Sequence, residues 1–127
     1  MKDIELFRCK HCGKIIELIP STHCCPTICC GDEMDQLKAN KEDASLEKHV
    51  PFVEINGDEL KVSVGSVLHP MTKEHHIMFI YLITDKTIRR IDLEETQEPI
   101  VTFNIHGEKP IKVYEMCNLH GLWVKEL

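Results

Sequence analysis

A thiol and an imidazole stand three residues apart near the end of the chain, in the segment Cys117-Asn118-Leu119-His120. An apolar run precedes them and Gly121 follows, so the pair spans the turn after a predicted strand. Two side chains at this spacing can bind one metal ion, but a metal site needs further ligands. Three upstream histidines are the best candidates to complete it: His49, His69 and His75.

Each of these residues also has an ordinary structural interpretation. His69 precedes a proline and by itself is typical of a turn, and Cys117 by itself could be an inert core thiol. His75 and His76 are neighbours on a strand and point to opposite sides, so only His75, at the start of the strand, is taken as a ligand. The combined case is stronger, because all the candidates fall at strand ends or in loops, which converge at one end of a β-sandwich.

Six of the seven cysteines lie within the first 30 residues. Cys9 and Cys12 form a C-x-x-C turn followed by glycine, and the Cys29-Cys30 pair can supply two more thiolates. A tetrahedral four-thiolate site suits zinc or iron. The few apolar residues nearby cannot stabilise a fold alone, so the metal must contribute the folding free energy.

A second vicinal pair, Cys24-Cys25, leaves the ligand assignment open. Gly31 can relieve the turn after Cys29-Cys30, which favours that pair. Cys24 and Cys25 are then free thiols in a loop.

Charge and hydropathy patterns divide the chain into three parts. Residues 1–37 form the metal-stabilised module, and residues 38–48, with six charged residues among eleven, form a solvated linker. Residues 49–127 contain short apolar and alternating runs without useful helical periodicity, which predicts an immunoglobulin-like antiparallel β-sandwich. The predicted strands cover residues 53–55, 60–64, 76–84, 88–93, 100–105, 111–116 and 122–125, with an Asn56-Gly57 turn after the first.

Composition narrows the class of protein. The net charge of −6 and the pI near 5.7 give the wrong sign for attraction to nucleic acid or to an anionic membrane. No long apolar segment is present, and the first residues do not form a signal peptide. We therefore expect a soluble cytoplasmic protein, in which clustered cysteines bind metal rather than form disulfides.

Several motifs resemble a known family. The chain from about residue 6 to 125 is similar to desulfoferrodoxin, the two-iron class of the superoxide reductases, whose first domain resembles desulforedoxin. Two departures are the additional Cys24-Cys25 pair and the Asp32-Glu33 segment, where the family pattern has proline before the methionine. The matching motifs are Glu47-Lys48-His49-Val50-Pro51, His69-Pro70-Met71 with His75, Cys117-Asn118-x-His120-Gly121-x-Trp123, and Cys9-x-x-Cys12 with Cys29-Cys30-Gly31.

The resemblance implies two irons per chain. One is bound by the thiolates of Cys9, Cys12, Cys29 and Cys30. The other, a ferrous ion, is bound in the plane of His49, His69, His75 and His120, with the thiolate of Cys117 on one axis and an open sixth position.

The resemblance also implies a reaction. Superoxide at the open position would take one electron from iron and two protons from solvent, and leave as hydrogen peroxide. Lys48 would attract the anionic substrate, and Glu47 would occupy the sixth position of the ferric ion afterwards. The expected partners are a rubredoxin-like electron donor and a second copy of the chain in a homodimer.

Two alternatives stay open at this point. The chain could be a non-catalytic metal-binding or electron-transfer module, or it could be a superoxide dismutase. Substitution of Cys117 separates the first alternative from a reductase, and the yield of peroxide per superoxide separates the second.

Overall fold

The computed structural model describes residues 2–19, 24–41, 49–64 and 69–127. It divides into two compact units, a smaller one of Asp3–Lys38 and a larger one of Ala39–Leu127 together with Lys2. Residues 42–48 of the predicted linker lie outside the described ranges. Within those ranges, no helix is long and apolar enough to cross a membrane.

The smaller unit is built from very short strands, β1 (Leu6–Arg8), β2 (Ile15–Glu17), β3 (Ile28–Cys29), β4 (Asp32–Glu33) and β5 (Asp35–Gln36). An antiparallel sheet has the order β2-β1-β5, and a separate hairpin pairs β3 with β4. Few apolar side chains of this unit are buried, Leu6, Cys9 and Met34 among them, which fits a module that depends on a metal.

The larger unit is the predicted antiparallel β-sandwich. Its described strands form a three-stranded sheet of order β10-β7-β6 and a four-stranded sheet of order β12-β11-β8-β9. All seven predicted strands are present, so the predicted fold class is confirmed. The strands are β6 (Pro51–Asn56), β7 (Glu59–Val64), β8 (Ile77–Thr84), β9 (Ile88–Asp92), β10 (Ile100–Asn104), β11 (Pro110–Cys117) and β12 (Gly121–Glu126).

Two patterns in the sequence explain which residues form the core: alternation of apolar and polar residues in β7, and a continuous apolar run in β8. Leu60, Val62 and Val64 on β7 are fully buried, whereas the residues between them face outwards or are half-buried. β8 is buried along nearly its whole length because it lies between β11 and β9, as its unbroken apolar sequence predicts.

The first hairpin turn differs by one residue from the prediction. Asn56 pairs with Glu59, so Gly57 and Asp58 form the loop and Asn56 remains in the strand. Gly57, at the first loop position, has a φ of 63°, as a type II′ turn requires. The single glycine therefore determines the position of this turn.

Strand ends place the candidate ligands of this unit. His49 precedes β6, His75 precedes β8, and Cys117 and His120 flank the turn between β11 and β12. Asn40, which lies within the predicted linker, exchanges backbone hydrogen bonds with Leu122 and Val124, so this part of the predicted linker pairs with β12.

Candidate metal centres

Four imidazole rings of the larger unit form a closed cycle of neighbours. The centroid of the His49 ring lies 4.7 Å from that of His69, which lies 4.6 Å from that of His75. The cycle closes through His120, whose ring lies 5.0 Å from His75 and 4.9 Å from His49. This order is expected of four rings that surround one common point.

The donor atoms of His49, His69, His120 and Cys117 are close enough to share a metal ion, whereas His75 joins this group only through its ring neighbours. Nε2 of His49 lies 3.1 Å from Nδ1 of His120. Two nitrogens bound at right angles, each about 2.1 Å from a metal, lie about 3.0 Å apart. The Sγ atom of Cys117 is 3.9 Å from the same Nδ1, and the donor atoms of these three residues and His69 all lie within 4.8 Å of one another.

Burial within this cluster is uneven. His49, His69 and Cys117 are buried, whereas His120 is exposed. A register shift in the pairing of β11 with β8 falls between Met116 and Cys117. Such β-bulges occur next to functional sites, where they redirect a side chain. Cys117, His49 and His69 therefore lie in the core, while His120 reaches solvent.

Neighbouring groups fix the orientation of the rings. Nδ1 of His69 lies 2.7 Å from the carbonyl oxygen of Pro70, so this nitrogen carries the proton and the lone pair is on Nε2. Trp123 stacks on His49 at 4.8 Å, and its indole N–H donates to the carbonyl of His120. These contacts are of the kind that hold metal ligands in one orientation.

Glu115 is a further residue that the sequence analysis did not single out. Its side chain is fully buried, and its carboxylate lies 3.9 Å from Nδ1 of His49. A buried carboxylate beside a ligating histidine raises the basicity of the imidazole. Its position two residues before Cys117 on a strand was the available signal, since residues i and i+2 share a face.

Asn118 connects the two loops that carry ligands. Its side-chain oxygen accepts from the backbone N–H of His76, and its amide donates to the carbonyl of Glu74. The loop that contains His75 is thereby tied to the turn that contains His120.

The four predicted cysteines of the smaller unit also come together. Sγ of Cys29 lies 3.7 Å from that of Cys12 and 4.0 Å from that of Cys30, and all four sulfurs, with Cys9, lie within 4.8 Å of one another. A tetrahedron with metal–sulfur bonds of about 2.3 Å has sulfurs about 3.8 Å apart. The cluster therefore fits a tetrahedral thiolate site.

Two turns present these thiols. In the first, the backbone N–H of Cys12 donates to Sγ of Cys9, and this bond lowers the pKa of Cys9 to about 6. In the second, Cys30 and Gly31 link β3 to β4 with φ values of 52° and 80°. The side-chain contact of Cys30 with Cys12 raises the pKa of Cys30 to about 12. Protonated thiols of this kind must lose their protons when a metal binds.

The remaining candidates separate clearly. Cys24 and Cys25 are exposed and belong to neither ligand cluster found among the described residues. His76 contacts the carbonyl of Thr72, and His106 occupies a turn with a φ of 49°. The predicted catalytic residues Glu47 and Lys48 lie outside the described ranges, so their roles stay predictions.

The chain combines a β-sandwich that carries a cluster of four histidines and one cysteine with a smaller unit that carries four clustered cysteines. These features define a class of proteins with two candidate metal centres. A family model described as Desulfoferrodoxin matches residues 41–126. A desulfoferrodoxin from Syntrophotalea carbinolica is 41% identical, over 97% of this chain and 96% of its own length. The chain belongs to the desulfoferrodoxin family.

Solved structures agree with this assignment. The superoxide reductase from Treponema pallidum superposes with a TM-score of 0.82 at 32% identity and covers 98% of both chains. A superoxide reductase (neelaredoxin) from Archaeoglobus fulgidus has a TM-score of 0.54 at 32% identity and covers 70% of this chain and 95% of its own.

Proposed function

We propose that this chain is a superoxide reductase. It takes up one superoxide, one electron and two protons and releases one hydrogen peroxide. The observation that carries the proposal is the closed cycle of four imidazoles next to a buried cysteine thiol. The superoxide reductase from Treponema pallidum, which matches almost the whole chain, supports it.

The chemistry of the donor set favours reduction of superoxide over its oxidation. Iron bound to these five residues would supply the electron. Imidazoles suit ferrous iron, and the anionic thiolate of Cys117 donates electron density that stabilises the ferric product. A centre that holds ferric iron well is a good reductant of superoxide and a poor oxidant of it. These five residues would hold the ion and would leave room for substrate to bind to it.

Two residues directly before His49 complete the proposal. Lys48 would attract the superoxide anion by local charge, and the carboxylate of Glu47 would be available as a ligand for the oxidised iron once product has left. We expect Glu47→Ala to change the optical spectrum of the oxidised protein without slowing the first encounter with superoxide. Identical oxidised spectra for variant and wild type would count against this role.

The four-cysteine cluster holds a second iron in this proposal. It either relays electrons or stabilises the smaller unit, and a rubredoxin-like protein supplies the electrons for turnover of a homodimer.

The first measurement is the iron and zinc content of anaerobically purified protein. Two irons per chain support both sites, one iron with one zinc leaves the four-cysteine site structural, and zinc alone despite supplied iron contradicts the catalytic proposal.

Product yield tests the reaction itself. A reductase supplied with electrons forms one peroxide per superoxide, whereas a dismutase forms half as many. We expect a ratio of one for the wild-type chain. A ratio of one half would replace the proposal by the dismutase alternative.

Substitution of the thiolate ligand tests the site. Cys117→Ser is expected to remove the sulfur-to-iron absorption of the histidine centre, but not that of the four-cysteine centre. It is also expected to abolish reduction of superoxide, because the reduction potential of the histidine centre depends on the thiolate. The exposed Cys24→Ser is the matched control and should retain both. Full reduction of superoxide by Cys117→Ser would indicate that the reaction takes place at a centre other than the histidine cluster.

A further inference from the structure

The two turns that present the four thiols are joined by a side-chain contact that involves no sulfur atom. His11 lies inside the first turn, between Cys9 and Cys12, and Asp32 is the first residue of β4. Nε2 of His11 contacts Oδ2 of Asp32, and this contact is both a hydrogen bond and an ion-pair geometry. It therefore connects the turns independently of the sulfur atoms.

Each partner lies directly beside ligands. His11 precedes Cys12, and Asp32 is the register partner of Cys29 across the β3–β4 hairpin. The hairpin turn between them, Cys30-Gly31, has both residues at positive φ, so its shape is tightly determined. Movement of His11 relative to Asp32 would therefore change the spacing between the two pairs of thiols.

We propose that His11 and Asp32 form a clamp that holds the two thiol turns at the spacing the metal requires. Both are positioning residues of the four-cysteine site. Metal loss proceeds by detachment of one turn, and the clamp keeps a detached thiol close enough to rebind, which is an effect of high local concentration. The inference rests on metal occupancy of the four-cysteine site but not on the reaction at the histidine cluster.

The clamp also places a carboxylate beside the four-thiolate site, since Asp32 is the register partner of Cys29. Four thiolates with iron would carry a charge of −1 in the ferric state and −2 in the ferrous state, so a nearby anion disfavours the added electron. With iron bound, the charge of Asp32 would therefore lower the reduction potential of this centre. The positioning role and the charge role belong to the same contact, but different substitutions separate them.

Release of metal to a chelator measures the positioning role. The side chains of His11 and Asp32 are 47% and 51% exposed, so the pair has the strength of a surface interaction. We expect His11→Ala and Asp32→Ala each to speed release about 2–5-fold. The double variant should release metal no faster than either single variant, because one interaction is lost in all three.

The exposed Asp35→Asn on β5 is the matched control and should release metal at the wild-type rate. Release is followed by loss of sulfur-to-iron absorption, or by a zinc indicator if the site holds zinc. Unchanged rates in the single variants, or additive effects in the double variant, would overturn the clamp.

The potential of the four-cysteine iron measures the charge role. Asp32→Asn keeps a hydrogen-bond acceptor but removes the charge, so the potential should rise. His11→Ala retains the carboxylate, so the potential should not rise, although the release rate does. A potential that rises equally in both variants would contradict the charge role. The peroxide yield of the unsubstituted chain tests the proposed reaction separately.

Discussion

At the scale of single residues, the histidine cluster depends on groups that bind no metal themselves. The His49 ring stacks on the indole of Trp123, and its Nδ1 lies 3.9 Å from the buried carboxylate of Glu115. The stacking fixes the plane of the ring, and the carboxylate favours a proton on Nδ1, which leaves Nε2 available to a metal. Glu115 would therefore act on a bound metal through His49.

Glu115→Gln tests this role. The substitution preserves volume but removes the charge, and loss of such a partner costs about 10–100-fold in metal affinity. We expect weaker retention of the metal at the histidine cluster, measured by competition with a chelator. The exposed Glu59→Gln on β7 is the control. Wild-type affinity in Glu115→Gln would show that the carboxylate serves only packing.

At the scale of elements, two loops of the sandwich are joined by one carboxylate. Oε1 of Glu108, in the loop before β11, accepts hydrogen bonds from the hydroxyls of Thr84 and Thr87 at 2.6 and 2.7 Å. Arg89 lies 3.6 Å from the same oxygen. The hydrogen bond from Thr84, then that from Thr87, lowers the pKa of Glu108. The β8–β9 turn is thereby tied to the β10–β11 loop.

The direction of this shift predicts a pH dependence of stability. A carboxyl whose pKa is lowered in the folded state stabilises the fold above its unfolded pKa of about 4.3, and this contribution is lost as the pH falls through the folded value. We expect Glu108→Gln to unfold more easily than wild type at neutral pH. The difference should shrink on acidification.

Urea denaturation at a series of pH values measures this effect. The exposed Glu95→Gln is the control, and its stability should follow that of wild type throughout. A difference between Glu108→Gln and wild type that persists unchanged at low pH would contradict the role of the charge.

At the scale of the whole molecule, the negative net charge of the chain repels the proposed substrate. The chain carries a net charge of −6, and superoxide is an anion, so attraction must be local. The proposed source is Lys48, next to His49. This attraction is screened by salt, since exposed charges interact over a Debye length of about 10 Å at 0.1 M.

Lys48→Ala is therefore expected to slow the bimolecular reaction with superoxide by about tenfold at low salt and to flatten its salt dependence. Pulse radiolysis at several ionic strengths measures both. The exposed Lys61→Ala on β7 is the control. If the bimolecular rate constant of Lys48→Ala equals that of wild type at low salt, Lys48 does not attract superoxide to the site.

Much of the larger unit follows from local patterns in the sequence. Alternation at Leu60, Val62 and Val64 predicts one buried face, and the unbroken apolar run of β8 predicts a central strand. The two-residue strands of the smaller unit, such as β3, could not be predicted, because two residues carry no periodicity. The predicted position of the hairpin turn after β6 was wrong by one residue. Asn-Gly is typical of the two loop positions of a hairpin, but here Gly57 and Asp58 form the loop.

The sequence by itself determined the donor types and the local spacings, such as Cys9 to Cys12 and Cys117 to His120, because a turn of a few residues limits the distance between its side chains. Only the tertiary structure decided the cyclic order of the four imidazoles, the burial of Glu115 beside His49 and the contact between His11 and Asp32. These relations join residues that are far apart in the chain. Their distances depend on strand register and packing, which no local pattern encodes.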